Sequence, residues 1–163
     1  PDGFSDMIMY SDGTYLTGLT FIHSSDEIKT NINAKEAEMP IFKDTIRWLD
    51  VYFSGQNPDF VPAYRIDNLT PFRKEVVDEM LKIPYGSTIT YGEIARRIAM
   101  KHGIAKMSAQ AVGGAVGWNP ICLIIPCHRV MGAGGKITGY GGGIENKVAL
   151  LELETEEDKK VHV

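Results

Sequence analysis

The stretch Asn119-Pro120-Ile121-Cys122-Leu123-Ile124-Ile125-Pro126-Cys127-His128-Arg129-Val130 decides how the rest of the chain is read. Asn-Pro opens a turn, the apolar run 121–125 reads as a buried strand, and proline then ends it, so that Cys127, His128 and Arg129 emerge at a strand end. A free cysteine is usually a small buried hydrophobe, and Cys122 fits that description. Cys127 differs, because a histidine follows it directly, an arginine sits two places on, and a glycine-rich stretch from Gly132 to Gly143 comes next. Thiolate is the nucleophilic form, and a neighbouring base or cation lowers a thiol pKa from about 8.5. Adjacent side chains of a strand point apart, so His128 needs a turn or a bridging water to reach the sulfur. Cys122 and Cys127 are five positions apart, which on a strand puts them on opposite faces. No disulfide is expected, and a reducing compartment fits better than an oxidising one.

Upstream, Thr90 and Glu93 have capping-box spacing at the head of a helix from Tyr91 to about Lys101, which His102-Gly103 closes. Ser108 caps the next helix, Ala109 to about Gly117. Two short helices joined by a turn give a helix-turn-helix reading. The second, Ala-Gln-Ala-Val-Gly-Gly-Ala-Val-Gly, carries three glycines, each costing about 1 kcal/mol relative to alanine. A helix is about 10–12 Å across with its side chains and a DNA minor groove about 6 Å wide, so a helix stripped to Ala and Gly approaches that groove more closely than most. Close packing on another helix is the competing explanation.

Thr70-Pro71 starts an earlier helix with Phe72, Val76, Val77, Met80 and Leu81 as its buried stripe. Residues 54–69, rich in Gly, Pro, Asn and Asp, read as a linker with a short extended piece at 60–64. Residues 6–23 read as a hairpin about Ser11-Asp12-Gly13, and 24–38 as a polar loop. Pro40 opens a helix that presents Phe42, Ile46, Leu49 and Phe53 to the hairpin. The final helix runs from Ile144 to about Glu156 and packs through Val148, Leu150, Leu151 and Leu153.

The chain has 163 residues, 44% of them hydrophobic, and a formal net charge of -4. The charge is uneven. Between Arg96 and Ile144 there is no Asp or Glu, while Arg96, Arg97, Lys101, Lys106, Arg129 and Lys136 fall there. A basic surface on an otherwise acidic protein suits contact with phosphates. No run of about 18 apolar residues and no basic-then-apolar start is present, so neither membrane insertion nor secretion is expected and an intracellular protein is. His23, His102, His128 and His162 show no metal-ligand spacing with the cysteines or one another, and no metal site is expected.

Pro126-Cys127-His128-Arg129-Val130, with Ile124-Ile125 and Asn119-Pro120 before it, resembles the signature of the O6-alkylguanine-DNA alkyltransferases. The likeness extends over about residues 70–154, through Thr70-Pro71-Phe72, Pro84-Tyr85-Gly86, Thr90-Tyr91-Gly92, Ala111-Val112-Gly113-Gly114-Ala115 and Gly139-Tyr140. It implies an α/β N-terminal lobe over 1–62, with a ribonuclease-H-like sheet plus helix. A mainly α C-terminal lobe over 63–163 then holds a winged-helix-like helix-turn-helix. It further implies a monomer that binds double-stranded DNA containing O6-alkylguanine, flips the base out, and takes the alkyl group irreversibly onto Cys127 with no cofactor. Such a repair protein works in the cytoplasm at the nucleoid, or in the nucleus.

By the same resemblance, His128 takes the thiol proton through a water, Glu154 orients the imidazole, and Asn119 fixes the turn behind the cysteine. Tyr91 donates to guanine N3, and Tyr140 and Gly141 line the pocket. Ala109, Gln110, Ala111, Gly113, Gly114 and Val116 form the DNA face, with Arg129 and Lys147 in the binding set. One position departs from the pattern. Most relatives place an arginine at the head of the recognition helix, and this chain has Gln110, which has no charge and less reach. Cys122 stands where a relative has proline near the pocket mouth. The alternatives are a lesion-binding protein that transfers nothing, against which Cys127 argues, a cysteine hydrolase or redox enzyme, and a transcription regulator.

Overall fold

The computed structural model describes residues 3–22 and 38–161. The hairpin's end at His23, most of the polar loop, and His162 lie outside the described residues.

The first elements are an antiparallel hairpin, β1 (Met7–Ser11) and β2 (Leu16–Phe21). Its turn is closed by the Asp12 carboxylate, which accepts from the amides of Thr14 and Tyr15 at 2.9 and 2.8 Å. The far edge of β2 is shared by two later segments. Leu16 exchanges backbone hydrogen bonds with Ala63 and Arg65, and Leu19 with Pro120 and Cys122. A strand from the start of the chain therefore holds the segment that leads into Cys127.

Helix α1 (Pro40–Phe53) packs on this hairpin, but one residue out of the expected phase. Ile41, Thr45, Trp48 and Tyr52 are buried, Phe42, Leu49 and Phe53 only partly so, and Ile46 is exposed. Both sets have helical spacing, so periodicity alone could not choose between them. The buried set is favoured by its partners, since Trp48 stacks on Tyr52 with ring centroids 5.2 Å apart and Tyr52 has a polar partner deep in the protein.

Helix α2 (Pro71–Leu81) begins as its sequence dictates, with the Thr70 hydroxyl accepting from the Arg73 amide and proline in the first turn. Val76, Val77 and Met80 enter the core, and Leu81, expected there too, is exposed. The two-residue strand β3 (Ile89–Thr90) leads directly into α3 (Tyr91–Lys101), and α4 (Ala109–Trp118) follows a short turn. Thr90 and Ser108 cap these helices at 3.0 and 3.1 Å. Glu93 turns its carboxylate onto Arg96 and Arg97.

The expected strand over 121–125 does not form. Only Ile121 bridges to β2, after which the chain folds back, with Leu123 in the left-handed region at φ 70° and the Ile125 amide donating to the Ile121 carbonyl. The reason is Asn119. Its side-chain oxygen accepts from the Ile121 amide at 3.0 Å and its amide donates to the Ile125 carbonyl at 2.9 Å, satisfying in place the groups a ladder would have used. With no strand there, Cys122 and Cys127 are not set on opposite faces; both are buried, and no disulfide joins them.

Cys127–Arg129 form one turn of 3-10 helix, and β4 (Val130–Met131) then pairs in parallel with β3, Thr90 opposite Met131. Helix α5 (Ile144–Val161) completes the described chain and is longer than expected. It turns Asn146, Lys147, Leu150 and Glu154 inward, while Val148, Leu151 and Leu153 are only half-buried. The whole is a mixed α/β arrangement with five α-helices and two small sheets among the described residues. Among the described residues no helix is long and apolar enough to cross a membrane.

Candidate active site

The segment that carries Cys127 is braced from within and held by two other pieces of chain. From behind, Asn119 braces the fold-back; from the side, β3 ties the head of α3, and hence Tyr91, to β4; from above, α5 lays Lys147 and Glu154 against it. The Lys147 ammonium donates to the Val130 carbonyl at 2.7 Å and lies near enough to the Cys127 sulfur for the two to interact electrostatically. A cation so placed favours a thiolate over a thiol. Cys127 itself is 5% exposed.

Glu154 is the hub. Its Oε1 accepts from the Gly86 amide at 3.0 Å and from Arg129 Nε at 2.7 Å, and its Oε2 accepts from the Tyr52 hydroxyl at 2.6 Å and from His128 Nε2. Burial pushes this carboxyl upward, but the hydrogen bond and charge of His128, and after them those of Arg129, outweigh it and hold the pKa well below the usual carboxylate range. An ionised carboxylate on Nε2 fixes the proton there. Nδ1 of neutral His128 is then the lone pair, and it has no protein hydrogen-bond partner among the described residues. The imidazole is completely buried, and that burial depresses its pKa below the usual 6.5 despite Glu154. The arrangement is an oriented, neutral base next in sequence to a cysteine, on a turn whose three residues per revolution spread consecutive side chains by about 120°.

Stability should depend on pH in a definite direction. Glu154 stays ionised in the folded protein well below the pH near 4.5 at which the unfolded chain takes up its proton. Its contribution is whole above that value and is lost as pH falls. Buried His128 stays neutral in the fold while the unfolded chain protonates from about 6.5 downward. Both make the unfolded state bind more protons, so stability rises with pH across each window. Urea midpoints should be level between pH 7 and 8 and decline steadily below about 6.5. A midpoint that rises on acidification from 6.5 to 5 would contradict this charge assignment.

The outer face of α4 is bare. Ala109, Gln110, Ala111, Gly114 and Gly117 are exposed, and a Cβ added at Gly114 or Gly117 would meet nothing within 4 Å. At Gly113 it would meet only the Tyr91 ring, at an ordinary 3.9 Å. Packing against another helix therefore does not account for these glycines. Tyr91 is half-buried over α4, and its hydroxyl makes no hydrogen bond among the described residues. Tyr140 and Gly141 are half-buried ahead of α5, and a Cβ at Gly142 would lie 2.7 Å from the Phe21 ring, so the Tyr140 loop closes on β2 only with glycine there.

Three residues of the expected binding set are not on the surface, Lys147 among them, completely buried with its ammonium on the Val130 carbonyl. Val116 is in the core, on the inner side of α4. Arg129 is buried, with Nε on Glu154 and Nη1 on the Ile83 carbonyl at 3.0 Å, and its guanidinium carbon lies over the Tyr85 ring, 5.6 Å from the centroid. Its charge serves the carboxylate and is not offered to phosphates. Arg96 and Arg97 are shared with Glu93, which leaves Lys101, Lys106 and Lys136 as exposed cations of the acid-free stretch with no ion pair among the described residues. Cys122 is fully buried. Among the described residues no group of His, Cys, Asp and Glu is assembled that could hold a metal ion.

Sequence reading missed Tyr52 and Gly86, the two donors that complete the shell of Glu154. Gly86 donates through its backbone and leaves no signal. Tyr52 had one, an aromatic with a hydroxyl on the apolar side of α1, passed over in favour of its neighbour Phe53.

The class comes from the helix pair and the segment beyond it. Residues 71–156 match the family model described as 6-O-methylguanine DNA methyltransferase, DNA binding domain. A methylated-DNA–protein-cysteine methyltransferase of Mycobacterium tuberculosis is 49% identical over 113 residues, which cover 69% of this chain and 65% of that protein. The one from Mycobacterium leprae is 39% identical over 152 residues, 91% of this chain and 85% of its own length. The crystal structure of Mycobacterium tuberculosis OGT in complex with DNA matches with a TM-score of 0.78 at 39% identity, covering 92% of this chain and 86% of that one. The chain belongs to the methylated-DNA–protein-cysteine methyltransferase family.

Proposed function

We propose that this protein repairs O6-alkylguanine in double-stranded DNA by direct transfer of the alkyl group, methyl above all, to Cys127. The observation that carries the reading is the Glu154–His128 pair beside Cys127, a neutral buried base whose orientation and tautomer are fixed by an ionised carboxylate. In the reaction the sulfur attacks the alkyl carbon, the S–C bond forms as the C–O6 bond breaks, and the thiol proton passes to His128; the guanine leaves as an anion and takes up one proton from solvent as His128 returns its own. The product thioether has no leaving group this site could activate, so each molecule acts once. Lesion binding without transfer is less supported, because the acceptor cysteine is present.

In this reading residues 1–62 form a ribonuclease-H-like lobe and residues 63–163 a winged-helix-like lobe that meets DNA as a monomer, in the cytoplasm at the nucleoid or in the nucleus. Ala109, Ala111, Gly113 and Gly114 let α4 lie against the minor groove, supported by the open space beside Gly114 and Gly117 among the described residues. Tyr91 donates to guanine N3, Tyr140 and Gly141 wall the pocket, and Lys147 steadies the thiolate. Gln110 fills the place of the extruded base. Gln110→Ala should slow repair of duplex DNA several-fold, while reaction with a free O6-alkylguanine base changes little, because extrusion costs a few kcal/mol only in the duplex. Equal losses on both would rule out that role.

The test of the function is stoichiometry. A duplex with a single O6-methylguanine, incubated with protein and digested to nucleosides, should show the lesion replaced by guanine at one lesion per protein molecule. Turnover beyond one equivalent, or an unchanged lesion, would exclude the acceptor mechanism.

A further inference from the structure

Glu154 is held by four donors, and three of them come from within or beside the matched DNA-binding domain. The fourth does not. Tyr52 lies on α1, outside residues 71–156, and is completely buried beneath Trp48, with Tyr85 edge-on to its ring. Its hydroxyl donates at 2.6 Å to Oε2, the oxygen that also receives His128 Nε2, and sits 3.4 Å from that nitrogen. Two donors thus compete for one carboxylate oxygen. We propose that Tyr52 is a positioning residue of the transfer reaction, whose hydroxyl limits how strongly Glu154 holds His128 Nε2–H and so sets how readily the imidazole gives up or keeps a proton.

A carboxylate that accepts several hydrogen bonds has its negative charge partly spent, and removal of one donor makes it a stronger acceptor for those that remain. The groups facing His128 are Glu154 and Lys147 from α5, Arg129 from its own turn, and Tyr52 from α1. Arg129 and Lys147 disfavour an imidazolium, as burial does, and Glu154 alone favours one. Without the Tyr52 hydroxyl the balance moves toward Glu154, and His128 protonates at higher pH. A base already protonated cannot take the thiol proton, so the hydroxyl keeps His128 available to lower pH. Burial and the Glu154 charge both raise the Tyr52 pKa, so the hydroxyl remains a donor throughout.

The inference rests on the alkyl-transfer reading for its meaning but not for its test. The imidazole of His128 should be followed by NMR through a pH titration of the full chain, beside the pH profile of the transfer rate. In Tyr52→Phe, which keeps the ring, His128 should titrate about one pH unit higher than in the unmodified protein, and the acid limb of the rate should move with it. Ile41→Val, on the same buried face of α1 but away from the carboxylate, should lower the urea midpoint and move neither. If Tyr52→Phe does not fold, 3-fluorotyrosine at position 52, a stronger donor, should shift His128 the opposite way. An unchanged His128 titration in either Tyr52 variant would overturn the proposal, whatever the stability. The titration reads the same whether or not Cys127 accepts an alkyl group, so failure of the transfer reading would show separately, as no reaction in the unmodified protein.

Discussion

Glu154→Ala is expected to lower the stability by about 3–5 kcal/mol in urea unfolding at pH 7, and to slow alkyl transfer by orders of magnitude in what remains folded. The size follows from what the carboxylate leaves behind. Arg129 would be a buried cation without a counter-charge, and the Gly86 amide, the Tyr52 hydroxyl and His128 Nε2–H would each lose an acceptor in a place water hardly reaches. The rate suffers for a separate reason. Without an acceptor on Nε2, nothing selects the tautomer in which Nδ1 is the base, nor the angle at which the imidazole stands. A stability loss below about 1 kcal/mol would mean that Glu154 is a solvated helix residue.

Asn119→Ala should cost about 2–4 kcal/mol, because it strands the Ile121 amide and the Ile125 carbonyl in a buried turn. The loss should fall on function as well as on stability. The fold-back places Pro126 and the 3-10 turn of Cys127, and the Leu123 backbone is held in the left-handed region only while its surroundings insist on it. Hydrogen exchange should report it directly, with the amides of residues 121–127 losing protection before those of α2 and α3. Uniform loss of protection across the core would show that Asn119 supports the fold generally and not this segment.

What could be read from the sequence was what local chemistry decides. Thr70, Thr90 and Ser108 cap the helices they precede because a hydroxyl before a helix has few better partners than the free amides of the first turn. The bare face of α4 was visible because glycines in mid-helix cost stability and need a reason. What could not be read depends on partners far away in the chain. Arg129 looks like a phosphate ligand until Glu154, 25 residues on, takes its guanidinium. The apolar run 121–125 has the composition of a strand, yet one asparagine side chain supplies the hydrogen bonds a neighbouring strand would have given. On α1, two apolar stripes one residue apart compete, and a hydropathy pattern prefers Phe53 to Tyr52. The fold prefers Tyr52, because its hydroxyl has an acceptor inside the protein 102 positions away.

The central claim is that the sulfur of Cys127 is where the alkyl group ends. It is tested most directly by intact and peptide mass spectrometry after incubation with a duplex carrying one O6-methylguanine. The account predicts a single gain of about 14 Da per molecule, the mass of a methylene, confined to the peptide containing Cys127 and absent from Cys127→Ser. No gain in mass, or a gain on any other residue that persists in Cys127→Ser, would contradict it.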